Sequence, residues 1–380
     1  MPTLVALTAA PGPDFVDALR RIWDRGDTVL PVDRRLPEPA LQRLVEAMSV
    51  ASIHDGDTEH PVSVGRPTEP GDALVVATSG STGAAKGVVL THTAVEASAR
   101  LGSTALGVAA NDRWLACLPL SHLAGLGVVT RSIYCGTPIE IHDGFDAARV
   151  ESAARGGATL TTLVPTALAR VDASLFRRIV AGGAEVPAAR PPNVVTSYGL
   201  TETCGGCVYD GRPFEGVEVE VRDDHIYVRG PVVMRSYRDG RRGLRADGWL
   251  DTGDLGHLDA LGRLVVDGRR DDLIITGGEN VWPGPVEDSM RSLPGVVDVA
   301  VIGRPDPEWG QRVVAVIELE PGAALPSLEM VRGHVKEVLP AYCAPRQVDV
   351  ADALPRTAAG KVRRAALRTA QAETAPEGHR

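Results

Sequence analysis

Aromatic side chains make up only 4% of this 380-residue sequence, so a small-molecule pocket must rely mostly on aliphatic side chains and backbone contacts. Cysteine is also sparse. Its five residues are odd in number and thinly spread, which excludes a disulfide-built scaffold and fits a reducing cytoplasm. Lysine is scarcer still: of 40 basic residues only Lys86, Lys336 and Lys361 are lysine, and arginine supplies the rest. An excess of positive charge is missing too. The net charge of −9 argues against nucleic acid or an anionic membrane surface as the main partner. No run approaches the roughly 20 apolar residues needed to cross a bilayer, so no transmembrane segment is expected. The N-terminus lacks the basic start and long apolar stretch of a signal peptide.

What is present is an ordinary soluble composition, 44% hydrophobic and 23% charged, on a chain long enough for at least two domains. Two of the three lysines sit beside a glycine, in Ala85-Lys86-Gly87 and Gly360-Lys361-Val362. A compact ammonium there suits phosphate and carboxylate chemistry. Lys86 belongs to Thr78-Ser79-Gly80-Ser81-Thr82-Gly83-Ala84-Ala85-Lys86-Gly87, flanked by the apolar runs Ala73–Ala77 and Val88–Leu90. That pattern predicts strand, loop, strand. Its glycines allow a tight turn and close approach, while its hydroxyls and N–H groups can donate to phosphate oxygens. It is not a Walker A loop, because Gly87 follows the lysine and a strand follows the loop. The competing reading is a polar Gly/Ser hairpin.

Upstream, Phe15–Trp23 and Ala40–Met48 have helical spacing, and Pro31–Pro39 reads as a turn-rich connector. Downstream, Thr93–Leu106 reads as a packed helix and Trp114–Leu118 as a buried strand stopped by Pro119. His122 then falls just past a strand end, where clefts form, and an apolar helix runs on toward Arg131. A satisfied structural imidazole is the alternative for His122. The segments Leu160–Val164, Ile179–Ala184 and Val194–Gly199 read as strands ending in breakers, which predicts a largely parallel sheet. Glu202 follows in a polar turn; it is either solvated surface or, beside a polyphosphate, a magnesium ligand. Cys204-Gly205-Gly206-Cys207 has the spacing of a metal clip, without a second Cys/His pair nearby.

From Gly216 to Asp267 short alternating strands suggest a β-rich subdomain, with Gly248–Asp254 as one acid-bearing turn whose Asp254 can accept from a ribose diol. Gly268-Arg269-Arg270-Asp271-Asp272 is the expected domain break. Beyond it, Val286–Leu293 and Leu328–Leu339 read as helices, Val297–Ile302 and Val313–Leu319 as strands, and Leu354–Arg364 as a flexible basic loop. The expected fold class is α/β with a β-rich subdomain: a large layered domain over 1–270 and a small mobile α/β domain over 271–380.

These motifs, in this order, resemble the adenylate-forming superfamily of acyl-CoA synthetases, adenylation domains and luciferases. The resemblance runs from Thr78–Gly87 through Leu118–His122, Ser197–Thr203, Thr252–Asp254, Gly268-Arg269 with Asp271, and Gly277–Asn280, to Pro355–Lys361. It implies a small carboxylic acid as substrate, with ATP, Mg²⁺ and coenzyme A. It implies that Thr78, Ser79, Gly80, Ser81, Thr82, Gly83 and Lys86 grip the β/γ-phosphates. Gly182, Gly183, Ser197, Tyr198 and Gly199 would line the adenine and acyl carboxylate, with His122 beside the acyl group. Thr201 would contact phosphate, Glu202 hold Mg²⁺, and Asp254 with Arg269 hold the ribose. Lys361 would serve adenylation. A rotation of the small domain about Asp271 would then exchange it for Gly277, Gly278 and Glu279 during thioester formation.

The phosphate loop stands far closer to the N-terminus than in most members, which resembles the compact o-succinylbenzoate–CoA ligases of menaquinone biosynthesis. The run Tyr198–Gly211 and the pair His122 and Arg131 fit that subgroup. Ser121, where an aromatic often precedes the histidine, and Trp282 and Pro285 depart from it. The acid expected is o-succinylbenzoate, its ring carboxylate held by Arg131 directly or through water. On an ideal helix Arg131 lies roughly 13 Å along from His122, so a shared ligand needs a late helix start or a long ligand. The alternative is a surface arginine. A carrier-loading adenylation enzyme is the competing function, disfavoured because no carrier domain follows Lys361. A non-catalytic binder is expected to lack Lys361 or Glu202. A homodimer is left open.

Overall fold

The computed structural model describes every residue except 63–64, 80–84, 185, 187–188, 357–361 and 370–380. Its residues form a mixed α/β structure in two compact units. The first comprises Met1–Arg222, Ile226–Thr252 and Leu258–Leu264; the second comprises Asp223–His225, Gly253–His257 and Val265–Arg380.

The first unit is built on two seven-stranded sheets. One runs, in spatial order, Ser236–Tyr237, Ala85–Thr91, Asp72–Ser79, Thr28–Pro31, Leu4–Leu7, Ser52–His54 and Glu59–Pro61. Leu4–Leu7 and Thr28–Pro31 are buried along their whole length, as parallel strands covered on both faces must be. Helix Pro13–Asp24 links them, burying Phe15, Ala18, Leu19 and Ile22, a single stripe at helical spacing. Asp72–Ser79 and Ala85–Thr91 pair antiparallel, with Thr78 opposite Lys86, as the predicted strand–loop–strand requires.

The second sheet runs Arg212–Pro213, Gly205–Tyr209, Val194–Leu200, Arg178–Gly182, Leu160–Leu163, Trp114–Ala116 and Ile139–Ile141. From Val194–Leu200 to Ile139–Ile141 all neighbours are parallel. Their C-terminal ends therefore share one edge, where His122, Gly182–Gly183 and Thr201–Glu202 fall. Helix His92–Ala105 packs on strands of both sheets, and Leu123–Cys135 packs on that helix and on the second sheet. The core there includes Leu19, Leu74, Leu90, Trp114, Leu126 and Val180. Each such side chain contributes about 1.5–3 kcal/mol on burial.

Strands Glu218–Arg222, His225–Arg229, Leu250–Leu258 and Leu264–Arg269 make a four-stranded sheet whose residues are divided between the two units. The expected turn over Gly248–Asp254 is corrected here: from Leu250 on it is strand. Leu250, Thr252 and Asp254 are buried in alternation, and Thr252 donates to the Ile226 carbonyl at 2.8 Å. Side-chain alternation outweighs the local turn preference of Asp and Gly.

The second unit holds a five-stranded sheet of Glu279–Val281, Ile274–Thr276, Gly310–Leu319 and Val296–Asp306, with Gln347–Ala351 alongside Gly310–Leu319. Helices Pro283–Met290 and Leu328–Val338 pack against each other, and the first also packs on Val296–Asp306. The expected basic loop is followed directly by a helix that the sequence reading did not include. Its centre, including Lys361, lies outside the described residues, and Arg364–Thr369 is helix. Arg364 makes that turn possible by pairing with the buried Glu287 at 2.8 Å and with Asp272 at 3.4 Å.

Candidate active site

The two arms of the phosphate-loop hairpin bring Thr78 and Lys86 face to face, and the Thr78 hydroxyl donates to the Lys86 carbonyl at 3.4 Å. Gly80, Ser81, Thr82 and Gly83 lie outside the described residues, and so does the Ser79 side chain. Against the outgoing strand packs the short 3-10 turn Thr201–Thr203, which carries Glu202. Thr203, fully buried, fixes that turn: its hydroxyl accepts from the Leu200 N–H at 2.8 Å and donates to the Gly205 carbonyl at 2.8 Å. Glu202 Oε1 accepts from the Tyr237 hydroxyl at 2.9 Å. Burial and the neighbouring carboxylate push the Tyr237 phenol up, so it stays a donor at neutral pH.

Parallel pairing sets Gly182 beside Ser197, and Gly199 lies opposite Gly206 across a bulge. A Cβ on Gly199 would stand 2.0 Å from the Gly205 carbonyl oxygen, so only glycine fits. His122 is the N-cap of helix Leu123–Cys135. The helix can begin there because Gly125 has no side chain; a Cβ would meet the Leu118 carbonyl oxygen at 2.3 Å. The Asp33 carboxyl is held below its usual range, chiefly by the Arg35 hydrogen bond and in small part by His122. The segment read as a connector thus reaches the neighbourhood of His122. Its sequence signal was only an Asp and two arginines between prolines.

The helix starts at Leu123, so the late start that would bring Arg131 nearer to His122 is not found. Arg131 is not a surface arginine either. It is 7% exposed, donates to the Tyr209 hydroxyl at 2.8 Å, lies 5.4 Å above the Trp114 ring, and leaves its Nε without a partner.

In the second unit Arg269 Nε meets Asp254 Oδ1 at 2.7 Å, and Asp254 is buried. The structure brings this sequence-predicted pair together. Asp271 lies in the 3-10 turn Arg270–Asp272, and its neighbour Asp272 pairs with Arg364 and Arg368. Gly277 and Gly278 have φ of +60° and +84° in the hairpin between Ile274–Thr276 and Glu279–Val281. Lys361 is outside the described residues, but both ends of its loop are placed: Arg356 bridges to Val362, and the Arg363 N–H donates to the Pro355 carbonyl at 2.7 Å.

The donor set around Glu202 suits a nucleotide-borne Mg²⁺, which typically takes one or two carboxylates and fills its octahedron with phosphate oxygens and water. A dedicated protein cage is a different arrangement, and among the described residues no three His, Cys, Asp or Glu cluster to make one. Cys204 and Cys207 are both buried, and burial pushes each thiol up to about 12, so neither is a ready thiolate ligand.

Residues 52–238 match the family described as AMP-binding enzyme, and residues 285–361 match its C-terminal domain. The chain belongs to the AMP-binding enzyme family. A protein of Mycobacterium tuberculosis named "Probable 2-succinylbenzoate--CoA ligase" is 38% identical over 363 residues, covering 87% of this chain and 93% of that one. A 2-succinylbenzoate–CoA ligase of Listeria monocytogenes is 32% identical over 359 residues, covering 86% and 76%. Among solved structures, the o-succinylbenzoate CoA synthetase of Bacillus subtilis in complex with the acyl-adenylate intermediate OSB-AMP matches with a TM-score of 0.85. That match is 28% identical and covers 99% of this chain and 89% of that one. Among the described residues no helix is long and apolar enough to cross a membrane.

Proposed function

We propose that this chain is an ATP-dependent, AMP-forming acid–CoA ligase acting through an acyl-adenylate, with o-succinylbenzoate as its acid. The observation that carries the reading is the Glu202 turn packed on the outgoing strand of the phosphate-loop hairpin, within the first unit. The similarity to 2-succinylbenzoate–CoA ligases supports the choice of acid.

In the first half-reaction a carboxylate oxygen bonds to the α-phosphorus of ATP and the bond to pyrophosphate breaks. Two anions must meet, so the barrier lies in their repulsion. Lys86 and the hairpin's N–H groups would hold the leaving phosphates, and Lys361 would neutralise charge between the carboxylate and the α-phosphate. Glu202 would hold Mg²⁺, which supplies charge neutralisation on the phosphates. The tight face at Gly182, Ser197 and Gly199 would admit the adenine and the acyl carboxylate edge-on, and the Asp254 carboxylate would accept from the ribose hydroxyls. In the second half-reaction the CoA sulfur bonds to the acyl carbon and AMP departs with the oxygen.

The test is ATP–pyrophosphate exchange with a panel of o-succinylbenzoate, benzoate and a fatty acid, followed by CoA consumption. Exchange with o-succinylbenzoate well above the others, then thioester formation, is the expected outcome. Exchange driven only by a monocarboxylic acid would leave the ligase chemistry standing and remove the acid assigned here. Exchange with no acid would favour a binder.

A further inference from the structure

We propose that Tyr237 is a positioning residue for Glu202: its hydroxyl fixes the carboxylate in the orientation that receives the nucleotide-borne divalent cation. This rests on the reading of Glu202 as the cation holder.

The geometry comes from one strap, Met234–Arg238. The Met234 N–H donates to the Glu202 carbonyl at 2.8 Å, so the strap grips the turn through the main chain. Three residues on, the side chain of Tyr237 reaches the carboxylate of the same glutamate at 2.9 Å. Between these two contacts the strap runs as an edge strand, Ser236 opposite Val89 and Tyr237 opposite Val88. The Arg238 N–H continues it, donating to the Gly87 carbonyl at 2.7 Å, next to Lys86. The Arg238 guanidinium then anchors the end of the strap on the carbonyls of Met48 at 3.0 Å and Pro67 at 2.9 Å, and on those of Ser49 and Arg66. Tyr237 is thus held from both sides, against the strand that leaves the phosphate loop.

A glutamate has three torsions to fix, and fixing them at binding weakens the ion's hold. A phenol donates one hydrogen, whereas a carboxylate offers about four lone-pair sites, so the contact orients the group and leaves it room for a cation. The ring has a separate packing role: the Arg241 guanidinium lies 5.4 Å over it. Tyr237→Phe keeps the ring and deletes only the donor.

The measurement is Mn²⁺ binding by electron paramagnetic resonance, on the full chain with a non-hydrolysable ATP analogue present. Tyr237→Phe should weaken Mn²⁺ by roughly tenfold, the size usual for losing a partner that orients a metal ligand. Binding of the metal-free analogue and the thermal midpoint should stay at wild-type values. In a Glu202→Gln background the same change should add no further loss. Arg241→Ala, which loosens the strap's packing but spares the hydroxyl, should bind Mn²⁺ like the wild type. Superimposable titrations for Tyr237→Phe and wild type, an equal loss in Arg241→Ala, or an additive loss in the double variant would each overturn the proposal. Should Glu202→Gln alone bind Mn²⁺ normally, the cation reading of Glu202 falls, and the role of Tyr237 with it.

Discussion

Arg131 is a buried guanidinium whose contacts among the described residues are a hydroxyl and an aromatic ring, with no carboxylate beside it. Keeping a charge in that condition is costly, and a ligand's carboxylate would relieve it. Comparing o-succinylbenzoate with 4-phenyl-4-oxobutanoate, which lacks the ring carboxylate, tests this. The wild type should lose about 2–5 kcal/mol of transition-state binding, and Arg131→Ala should lose most of that discrimination. Equal kcat/KM for the two acids with the wild type would return Arg131 to a packing role. The sequence made Arg131 visible as a lone cation in an apolar helix, but it could not reveal Tyr209 and Trp114. Those partners arrive from two strands of the second sheet.

At the scale of elements, the apolar runs on either side of the phosphate loop were legible because a buried strand advertises itself in a few contiguous residues. The tail helix was not. Its six residues depend on Arg364 reaching Glu287, 77 positions away. Tyr237 was equally hidden, since its partner Glu202 lies 35 residues off and the two meet only because the strap and the Glu202 turn both pack on Ala85–Thr91 and share the Met234–Glu202 main-chain bond. Asp112, just ahead of strand Trp114–Ala116, shows the same kind of dependence. Its carboxylate accepts from the Ala109 N–H at 2.8 Å, the Thr159 hydroxyl at 2.7 Å and Arg177 Nε at 2.8 Å. Burial alone would raise this carboxyl, but Arg177 and the other donors hold it below the usual range. A depressed carboxyl contributes stability that is present above its unfolded value of about 3.9 and is lost as the pH falls through its folded value. Asp112→Asn should therefore cost about 2–4 kcal/mol at neutral pH, by denaturant unfolding of the first unit. The deficit should shrink as the pH drops below about 4. A deficit that stays constant down to pH 2 would show that the carboxylate's charge is not what matters.

For the whole molecule, the proposed chemistry assigns the two half-reactions to different parts of the second unit. Lys361→Ala should slow adenylation on the order of 10³-fold yet still turn preformed acyl-adenylate into thioester. Gly278→Trp should do the opposite. A Cβ there meets nothing within 4 Å, so the bulk has room to stand in the thiol's way, although φ of +84° strains any side chain and the thermal midpoint must be compared with the wild type. Single-turnover assays of each half-reaction distinguish them, and parallel losses in both variants would contradict the division. The strap at Met234–Arg238 has a consequence of another kind, in the order of synthesis. The ribosome makes Ala85–Thr91 long before it makes the edge strand that completes their sheet, and the carbonyls that receive Arg238 wait some 171 to 190 residues for their guanidinium. Until then the emerging chain exposes an unpaired strand edge beside the phosphate loop. The hairpin proposed to grip the nucleotide is therefore translated well before the edge strand that covers it, and in that interval its open edge is a site where another chain can pair.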